Sequence, residues 1–194
     1  EKDPAVEQFT VIYQISDMPV LFGEQEIAAN AFSVDSTFFK IFPYRVIAGS
    51  GRIVRSRDVV ITRSFWKKKL GGKNAIGATF KNTKGNKFTI IGVVDDPDTK
   101  TSWMPDIFMS DELDEFLFFD PIYAMLMAPD TDIALLNKKY SKEHPRSKWS
   151  TYETVRYQYL PLKDLYYDKD HGKENKNYQY GNQSYVRVLM VVAF

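Results

Sequence analysis

The chain has 194 residues, of which 44% are hydrophobic, enough for the core of one large domain or of two small ones. Its 26 basic and 25 acidic residues nearly balance, so the net charge gives no support for nucleic-acid binding. The absence of cysteine excludes disulfides, thiol nucleophiles and thiolate zinc sites. The first residues, EKDPAVEQ, have the features of neither a signal peptide nor a membrane span, so we expect any targeting segment to lie upstream.

Two strands and a short helix are predicted for the first part of the chain. The alternation in QFTVIYQIS predicts a strand whose buried side chains are Phe9, Val11, Tyr13 and Ile15. Pro19 and Gly23 predict a break, after which EIAANAFSV predicts a second strand. Ser36 is the expected N-cap of a helical turn that ends at Pro43.

A separate, β-rich unit is predicted for residues 56–110. DVVIT has the pattern of a strand, Thr62 is the expected cap of the helix that follows, and Gly71 fits the left-handed residue that ends it. The two apolar runs around NTKGN predict a hairpin with Gly85 in its loop. The middle of the chain should therefore be small and β-rich, with one helix.

The last part of the chain predicts a strand, a helix and a second strand. IYAMLMAP has the composition of a buried strand, and DTDIALLNKKYSKEHP predicts a helix capped near Asp130 or Thr131 and ended by Pro145. TVRYQYLPL alternates as a strand does. This order is typical of a βαβ-like unit, and the polar stretch after it predicts a long loop.

Two sequences resemble ligand-binding loops but lack required residues. LGGKN contains Gly-Gly-Lys, yet the positions that a phosphate loop needs as glycine and as Ser or Thr hold Lys67 and Asn74. The stretch from Asp168 to Gln179 begins like a calcium loop, but its glycine falls at the fifth position and Gln179 occupies the closing position. A helix-ending turn and a polar loop are the favoured interpretations.

No catalytic, cofactor or metal site is predicted. Asp95, Asp96 and Asp98 follow a strand, where paired carboxylates can serve acid–base chemistry, but DDPDTKTS is also typical of a solvated turn, which we favour. His144 and His171 lack companions at ligand spacing. An enzyme remains the alternative if Asp95 or Asp98 lies buried beside His144 or a metal.

A run of three lysines follows the predicted middle strand. Lys67, Lys68 and Lys69 are expected on the solvated side of a helix whose buried side carries Phe65, Trp66 and Leu70. A docking patch for anionic head groups or for a partner is the alternative interpretation.

Three stretches over residues 34–102 resemble, in their order and spacing, the periplasmic core domain of MacB-type, FtsX-like ABC transporter permeases. The stretches are VDSTFFKIFPYRVIAGS, DVVITRSFWKKKLGGKNAIGATFKN and KFTIIGVVDDPDTKTS. The residues that match the family motif, and for which the resemblance implies a structural role, are Phe38, Phe39, Gly49, Gly71, Gly77 and Gly92. Departures from the family pattern are Trp66, Leu70, Ala75 and Ala78.

The resemblance implies an α+β fold in which residues 1–55 and 111–183 form a βαβ-like, porter-like subdomain, and residues 56–110 an inserted sabre-like one. It implies an extracytoplasmic domain of an inner-membrane permease that transmits ATP-driven conformational change across the membrane, either to export a substrate or to act on a periplasmic partner. Such a domain is not an enzyme. Expected partners are a second permease copy, a cytoplasmic ATPase domain or subunit and a candidate periplasmic adaptor, without a cofactor. The alternative function is a periplasmic ligand-binding or sensor domain, which needs an enclosed pocket.

The chain closes on the apolar run SYVRVLMVVAF, residues 184–194. The resemblance implies a juxtamembrane stalk and the start of the second transmembrane helix, with Arg187 at the interface and both chain ends on one side of the domain. A final core strand is the alternative. The residues expected near the membrane are Arg187, Val188, Leu189, Met190, Val191, Val192, Ala193 and Phe194.

Overall fold

The computed structural model describes residues 3–72, 74–98, 103–110, 121–140, 144–145, 154–155 and 159–165. The strands are β1 (Val6–Phe22), β2 (Gln25–Val34), β3 (Val46–Gly49), β4 (Asp58–Thr62), β5 (Thr79–Asn82), β6 (Lys87–Val94), β7 (Ile107–Ser110), β8 (Ile122–Met127), β9 (His144–Pro145) and β10 (Thr154–Val155). The helices are α1 (Phe38–Ile41), α2 (Arg63–Lys69), α3 (Ile133–Lys139) and α4 (Leu162–Leu165). This mixture of one large sheet and short helices confirms the predicted α+β class.

Contacts divide the chain into two units, with the boundary between Met127 and Ala128. The first unit contains one eight-stranded sheet in the order β2-β7-β4-β6-β5-β1-β8, with β3 added to β6. Because β1 also pairs with β2, six of these strands form a closed ring. The length of β1 makes this possible: its first half pairs with β8, and its second half pairs with β2 and β5.

The strand, helix and hairpin predicted for the middle of the chain are β4, α2 and the β5–β6 pair. They do not form a subdomain with a sheet of its own, because β4 pairs with β7, β7 with β2 and β5 with β1. The strand pairing therefore contradicts the predicted separation of residues 56–110 from β1 and β2. In β4, three consecutive residues, Val59, Val60 and Ile61, are buried, so both faces of the strand are covered. A strand of this kind is stable only within a sheet that is packed on both faces.

The face and the end of β1 differ from the prediction. Thr10 and Ile12 are fully buried, whereas Phe9 is 40% exposed, because α1 packs against the face that carries Thr10 and Ile12. The strand also continues through Pro19, which lies just after a bulge and pairs with Ala28. Gly23 alone provides the break, in a turn where its φ is +63°.

Two groups of side chains form the core of the first unit. The ring interior is filled by aliphatic and aromatic side chains, among them Val20, Ile27, Ala29, Ala31, Val59, Ile61, Phe80, Phe88, Ile90, Val93, Ile107 and Met109. Burial of each large apolar side chain contributes about 1.5–3 kcal/mol. A second group, which we call the aromatic cluster, has ring centroids 5.0–6.5 Å apart and consists of Phe32, Phe38, Phe39, Phe42, Tyr44, Trp103 and Phe108.

Asp35 connects α1 to β1 through its carboxylate. The N-cap of α1 is Thr37 rather than Ser36. The Asp35 Oδ1 atom accepts hydrogen bonds from the backbone N–H groups of Thr37 and Phe38 at 2.7 and 3.1 Å and from the Thr10 hydroxyl at 2.9 Å. Its Oδ2 atom accepts from the Val11 N–H at 3.2 Å. This carboxylate therefore fixes α1, and the aromatic rings it carries, against the sheet.

The α2 helix begins and ends as predicted. The Thr62 hydroxyl accepts a hydrogen bond from the Phe65 N–H, and Gly71 follows the helix with a φ of +64°. Phe65 is buried and Lys67, Lys68 and Lys69 are exposed, as predicted, whereas Trp66 and Leu70 are only half-buried.

The second unit contains α3, α4 and the two-stranded β9–β10 sheet. The α3 helix starts after Asp132, whose carboxylate accepts from the Leu135 N–H, so the caps predicted at Asp130 or Thr131 are wrong. It ends at Lys139, and Pro145 lies in β9. Its Asn137 side chain accepts from the Tyr159 N–H at 2.7 Å and donates to the Tyr159 carbonyl at 3.0 Å.

Several predicted elements of the last part of the chain change or lie outside the described residues. β8 is a strand, as predicted, but none of its side chains is fully buried. Within the stretch predicted as one strand, the described residues include β10, and Leu162 begins α4, while residues 156–158 lie outside the described part. The polar loop and residues 184–194 lie outside the described residues. In the part of the chain that the structure describes, no helix is long and apolar enough to cross a membrane.

Candidate functional site

The two phenylalanines of the predicted motif lie in the aromatic cluster. Phe38 is 1% exposed and contacts Phe39 edge to face, with ring centroids 5.2 Å apart. Both rings also contact Phe108 on β7, at 5.5 and 5.2 Å. The motif therefore anchors α1 to the outer face of the sheet.

Two motif glycines allow β3 to approach β6 closely. Gly49 lies directly opposite Gly92 in this antiparallel pair. A Cβ atom on Gly49 would lie 2.2 Å from the Ile91 carbonyl oxygen, and one on Gly92 would lie 1.7 Å from the Ser50 carbonyl oxygen. Both distances are too short for any side chain. Because the Ser50 N–H donates to the Ile91 carbonyl at 2.8 Å, the close approach also holds the segment after β3 on β6.

The other two motif glycines have a different role. Gly71 and Gly77 adopt φ values of +64° and +82°, and a Cβ atom on either would meet no atom within 4 Å. They supply the left-handed backbone of two turns rather than space for a neighbouring strand.

A buried carboxylate collects two arginines at the end of β6. The Asp95 side chain is 10% exposed, and its Oδ2 atom accepts hydrogen bonds from Arg45 and from Arg63, the latter at 2.9 Å. Arg45 comes from the segment before β3 and is 72% exposed, whereas Arg63 is the first residue of α2. The Asp95 N–H also donates to the Arg45 carbonyl at 2.7 Å. Asp95 therefore joins three separate elements.

The neighbouring carboxylates of the predicted turn are engaged differently. Asp96 accepts hydrogen bonds from the Ser64 N–H and hydroxyl, the latter at 2.9 Å, so it fixes the first turn of α2. Asp98 is exposed. The sequence predicts a solvated turn here, but two of its three carboxylates, those of Asp95 and Asp96, hold other elements in place instead.

Burial and nearby charges act on two acidic groups at this end of the ring. Burial, and secondarily the Asp96 carboxylate, raises the pKa of Tyr44 to about 12. Burial also raises the pKa of Asp106, an effect opposed by the Asn30 N–H, by Lys69 and by Lys68, and reinforced by Asp96. The Asp106 carboxylate accepts from the Asn30 N–H at 2.9 Å, so it joins β7 to β2.

The shift at Tyr44 predicts a loss of stability in alkaline solution. An unfolded tyrosine ionises near pH 10.0, whereas folded Tyr44 keeps its proton to about pH 12. Below pH 10 Tyr44 is protonated in both the folded and the unfolded state, so its protonation does not change the free energy of unfolding. Between pH 10 and 12 the unfolded state loses the proton first, so the free energy of unfolding falls as pH rises. Tyr44→Phe should flatten this decline, as measured by urea unfolding across that range. Equal slopes for both chains would show that Tyr44 does not contribute.

The candidate catalytic and metal residues are not brought together in the described part of the chain. No group of three or more His, Asp or Glu side chains in it is arranged to hold a metal ion. The partners of Asp95 are arginines. His144 lies in β9 and pairs with Val155. His171, the calcium-like stretch and Lys73 of the Gly-Gly-Lys sequence lie outside the described residues.

Residues 1–139 match the model of the MacB-like periplasmic core domain family. The chain belongs to this family. No curated protein sequence matches it. The predicted resemblance is thus confirmed, and the domain is the periplasmic, extracytoplasmic part of a MacB-like ABC transporter permease, a family of transporter domains rather than a recognised class of enzymes.

Solved structures share the fold of this MacB-like domain. A domain of a putative permease protein from Porphyromonas gingivalis is 18% identical with a TM-score of 0.61, and the match covers 72% of this chain and 70% of that one. The periplasmic region of MacB from Actinobacillus actinomycetemcomitans is 18% identical with a TM-score of 0.57, over 72% and 66% of the two chains. The extracellular domain of the noncanonic ABC-type transporter YknZ from Gram-positive bacteria is 14% identical with a TM-score of 0.52, over 70% and 77%.

The sequence did not predict the charged residues that connect separate elements of the MacB-like domain. These are Arg45, Arg63 and Asp35, and each is an ordinary polar residue in its local sequence. Arg45 and Asp95 are 50 positions apart, so only the pairing of β3 with β6 brings them together. The one available signal was Asp35 shortly before a predicted helix, which is the usual position of a capping carboxylate.

Proposed function

We propose that this domain transmits the ATP-driven movement of an ABC permease across the membrane, to export a substrate or to act on an extracytoplasmic partner. The observation that carries the proposal is the closed ring of six strands with an apolar, filled interior. Such a body moves as one piece, since close-packed cores transmit displacement instead of absorbing it.

The residues of the ring interior also favour transmission over the alternative of ligand binding. A binding or sensor domain needs polar groups that converge on an enclosed space. The interior side chains of the described ring are apolar, and the polar groups described above lie at strand ends, where they join elements of the fold. Ligand binding is the second candidate function, and a ligand-induced rise in melting temperature would be its sign.

The proposal places ATP hydrolysis outside this domain, in a cytoplasmic ATPase domain or subunit. A second permease copy would face this one, and a candidate periplasmic adaptor would contact it. The domain would bind no cofactor, perform no chemistry itself and stand between the first and second membrane helices of an inner-membrane protein. The apolar run at residues 184–194 supports that position, since its composition suits the start of a spanning helix.

Spin labels in the full-length permease with its ATPase test the proposal. Residues 1–194 contain no cysteine, so Lys40→Cys, on the exposed side of α1, introduces one label per copy once any cysteines elsewhere in the permease and its ATPase are replaced. The distance between the Lys40 labels of two copies should differ between the nucleotide-free state and a hydrolysis-deficient, ATP-bound state by more than the width of either distribution. Electron–electron resonance measures it.

A doubly labelled copy provides the matched control. Lys40→Cys combined with Thr83→Cys spans the first unit, and dilution with unlabelled copies isolates the distance within one domain. That distance should stay constant in every nucleotide state, because the ring moves as a rigid body. If the distance between the Lys40 labels of two copies is the same with and without ATP, the transmission role is wrong. If the distance between the Lys40 and Thr83 labels of one copy changes, the domain deforms instead of moving as a rigid body.

A further inference from the structure

Four exposed cations lie around the loop end of the β5–β6 hairpin. We name Arg55, Arg57, Lys81 and Lys87 the basic end. Lys81 and Lys87 lie on the hairpin, and the two arginines lie in the loop before β4. The Thr89 N–H donates to the Arg57 carbonyl at 2.9 Å, which holds this loop beside the start of β6. The four charges therefore belong to one surface although the sequence separates them.

The hairpin keeps a like-charge pair that does not help it fold. Lys81 and Lys87 are directly opposite each other in the β5–β6 ladder, and both are exposed. Like charges at directly opposite positions destabilise a strand pair. Within the described ranges, none of the four cations of the basic end forms an ion pair with a carboxylate. A local feature that opposes stability without a compensating contact is expected where a surface has a function.

The side chain of Arg57 in the basic end is held in place. The guanidinium of Arg57 lies 5.9 Å from the centre of the Phe88 ring, which is itself stacked on Phe80. Asp58, the nearest acidic residue in sequence, is engaged locally, because its carboxylate accepts from the Arg55 N–H at 3.2 Å. A guanidinium fixed in this way loses less conformational entropy when it binds a carboxylate.

The nearest acidic residues of another strand do not neutralise the basic end. Leu21 of β1 pairs with Glu26 on one side and with Lys81 on the other. The backbones of Glu26 and Lys81 are therefore two strand spacings apart, about 9.6 Å. That is close to the screening length of physiological salt. The basic end remains a surface of net positive charge.

We infer that the basic end is a docking surface for an acidic, carboxylate-rich segment of another extracytoplasmic protein. The choice of a protein over lipid rests on the proposed function. β1 has 17 residues, so roughly 50 Å separates Val6 from the end of the strand that pairs with Lys81. If the chain enters β1 from a membrane helix, the basic end faces away from the membrane. Arginine and lysine there suit carboxylates, which guanidinium binds in a bidentate manner.

A charge reversal within the hairpin separates docking from folding. Lys87→Glu places an acidic residue opposite Lys81, so the hairpin should be no less stable, while the positive charge of the basic end is halved. The probe is a fluorescein-labelled poly-glutamate peptide, and fluorescence anisotropy reports its binding to the full-length permease in phosphatidylcholine nanodiscs. We expect Lys87→Glu and Arg57→Glu each to weaken binding about tenfold, with the difference shrinking at high salt.

Lys67→Glu is the matched control, because it makes the same change in net charge on the exposed side of α2. It should change the affinity by less than about twofold. An equal or larger effect of Lys67→Glu, or no binding of the peptide to the unmodified permease, would overturn the inference. Binding of phosphatidylglycerol vesicles that depends on Lys87, without binding of the peptide, would overturn it in favour of lipid.

The same variants keep this inference distinct from the proposed function. If Lys87→Glu leaves the ATP-dependent Lys40 distance intact and the peptide never binds, docking at the basic end is wrong and transmission stands. If the peptide binds through Lys87 and the Lys40 distance ignores ATP, the docking surface stands and the transmission role is wrong.

Discussion

Gly92→Ala should lower the free energy of unfolding of this domain by about 3 kcal/mol or more. The Cβ atom that it adds would lie 1.7 Å from the Ser50 carbonyl oxygen, a backbone atom that cannot rotate away. Relief requires that the segment after β3 separates from β6, which breaks the hydrogen bond from the Ser50 N–H to the Ile91 carbonyl. The cost is steric, and no larger side chain would reduce it.

Gly71→Ala is the control for this prediction, since the same atom is added where it meets nothing within 4 Å. Its cost should be about 1 kcal/mol, which reflects only the left-handed φ that alanine adopts reluctantly. Equilibrium unfolding of the full chain in urea measures both. Equal effects of the two substitutions would mean that β3 moves away from β6 at little cost, and that the close approach is not required for folding.

The role of Gly71 can be predicted from the local sequence, whereas the role of Gly92 cannot. Both were identified as structural residues of the family motif. The role of Gly71 follows from local sequence, because a glycine after a helix with lysines in its last turn is the usual helix end. The role of Gly92 depends on the pairing of β3 with β6, and no local pattern of residues encodes that pairing.

The fold shows the same division between local and distant information. The hairpin around Gly85 and the α2 helix were predicted because short-range turn and capping signals define them. The closed ring was not predicted, since it depends on β1 pairing with β2, β5 and β8 along its length. The predicted burial of Phe9 failed for the same reason: its face is decided by where α1 packs, which lies outside the period-two pattern of the strand.

The sequence predicted a polar segment after β6 but not the contacts of its carboxylates. The sequence predicted solvated carboxylates after β6, and Asp98 is exposed as expected. The burial of Asp95 under two arginines was missed, because it depends on Arg45 from before β3 and Arg63 from α2. An aspartate in a turn sequence is solvated in most proteins, and only the tertiary structure shows which one is covered.

The last prediction concerns the two motif phenylalanines, which are adjacent in sequence but unequal in environment. Phe38→Ala should lower the free energy of unfolding by about 3–5 kcal/mol, the usual cost of removing a buried phenylalanine. Phe38 is 1% exposed and contacts rings on β2, α1 and β7, so its removal leaves a cavity bounded by Phe32, Phe39 and Phe108. Phe39 is only partly buried, so Phe39→Ala should cost about 1–2 kcal/mol.

Urea unfolding of the full chain compares the two substitutions, and Phe38→Leu provides a variant that folds if alanine does not. Leucine restores most of the lost volume, so its cost should be well below that of alanine at the same site. A larger loss for Phe39→Ala than for Phe38→Ala would contradict the burial order in the aromatic cluster. It would mean that α1 is held mainly by the ring of Phe39, which contacts Phe108 and Tyr44, and not by the ring of Phe38.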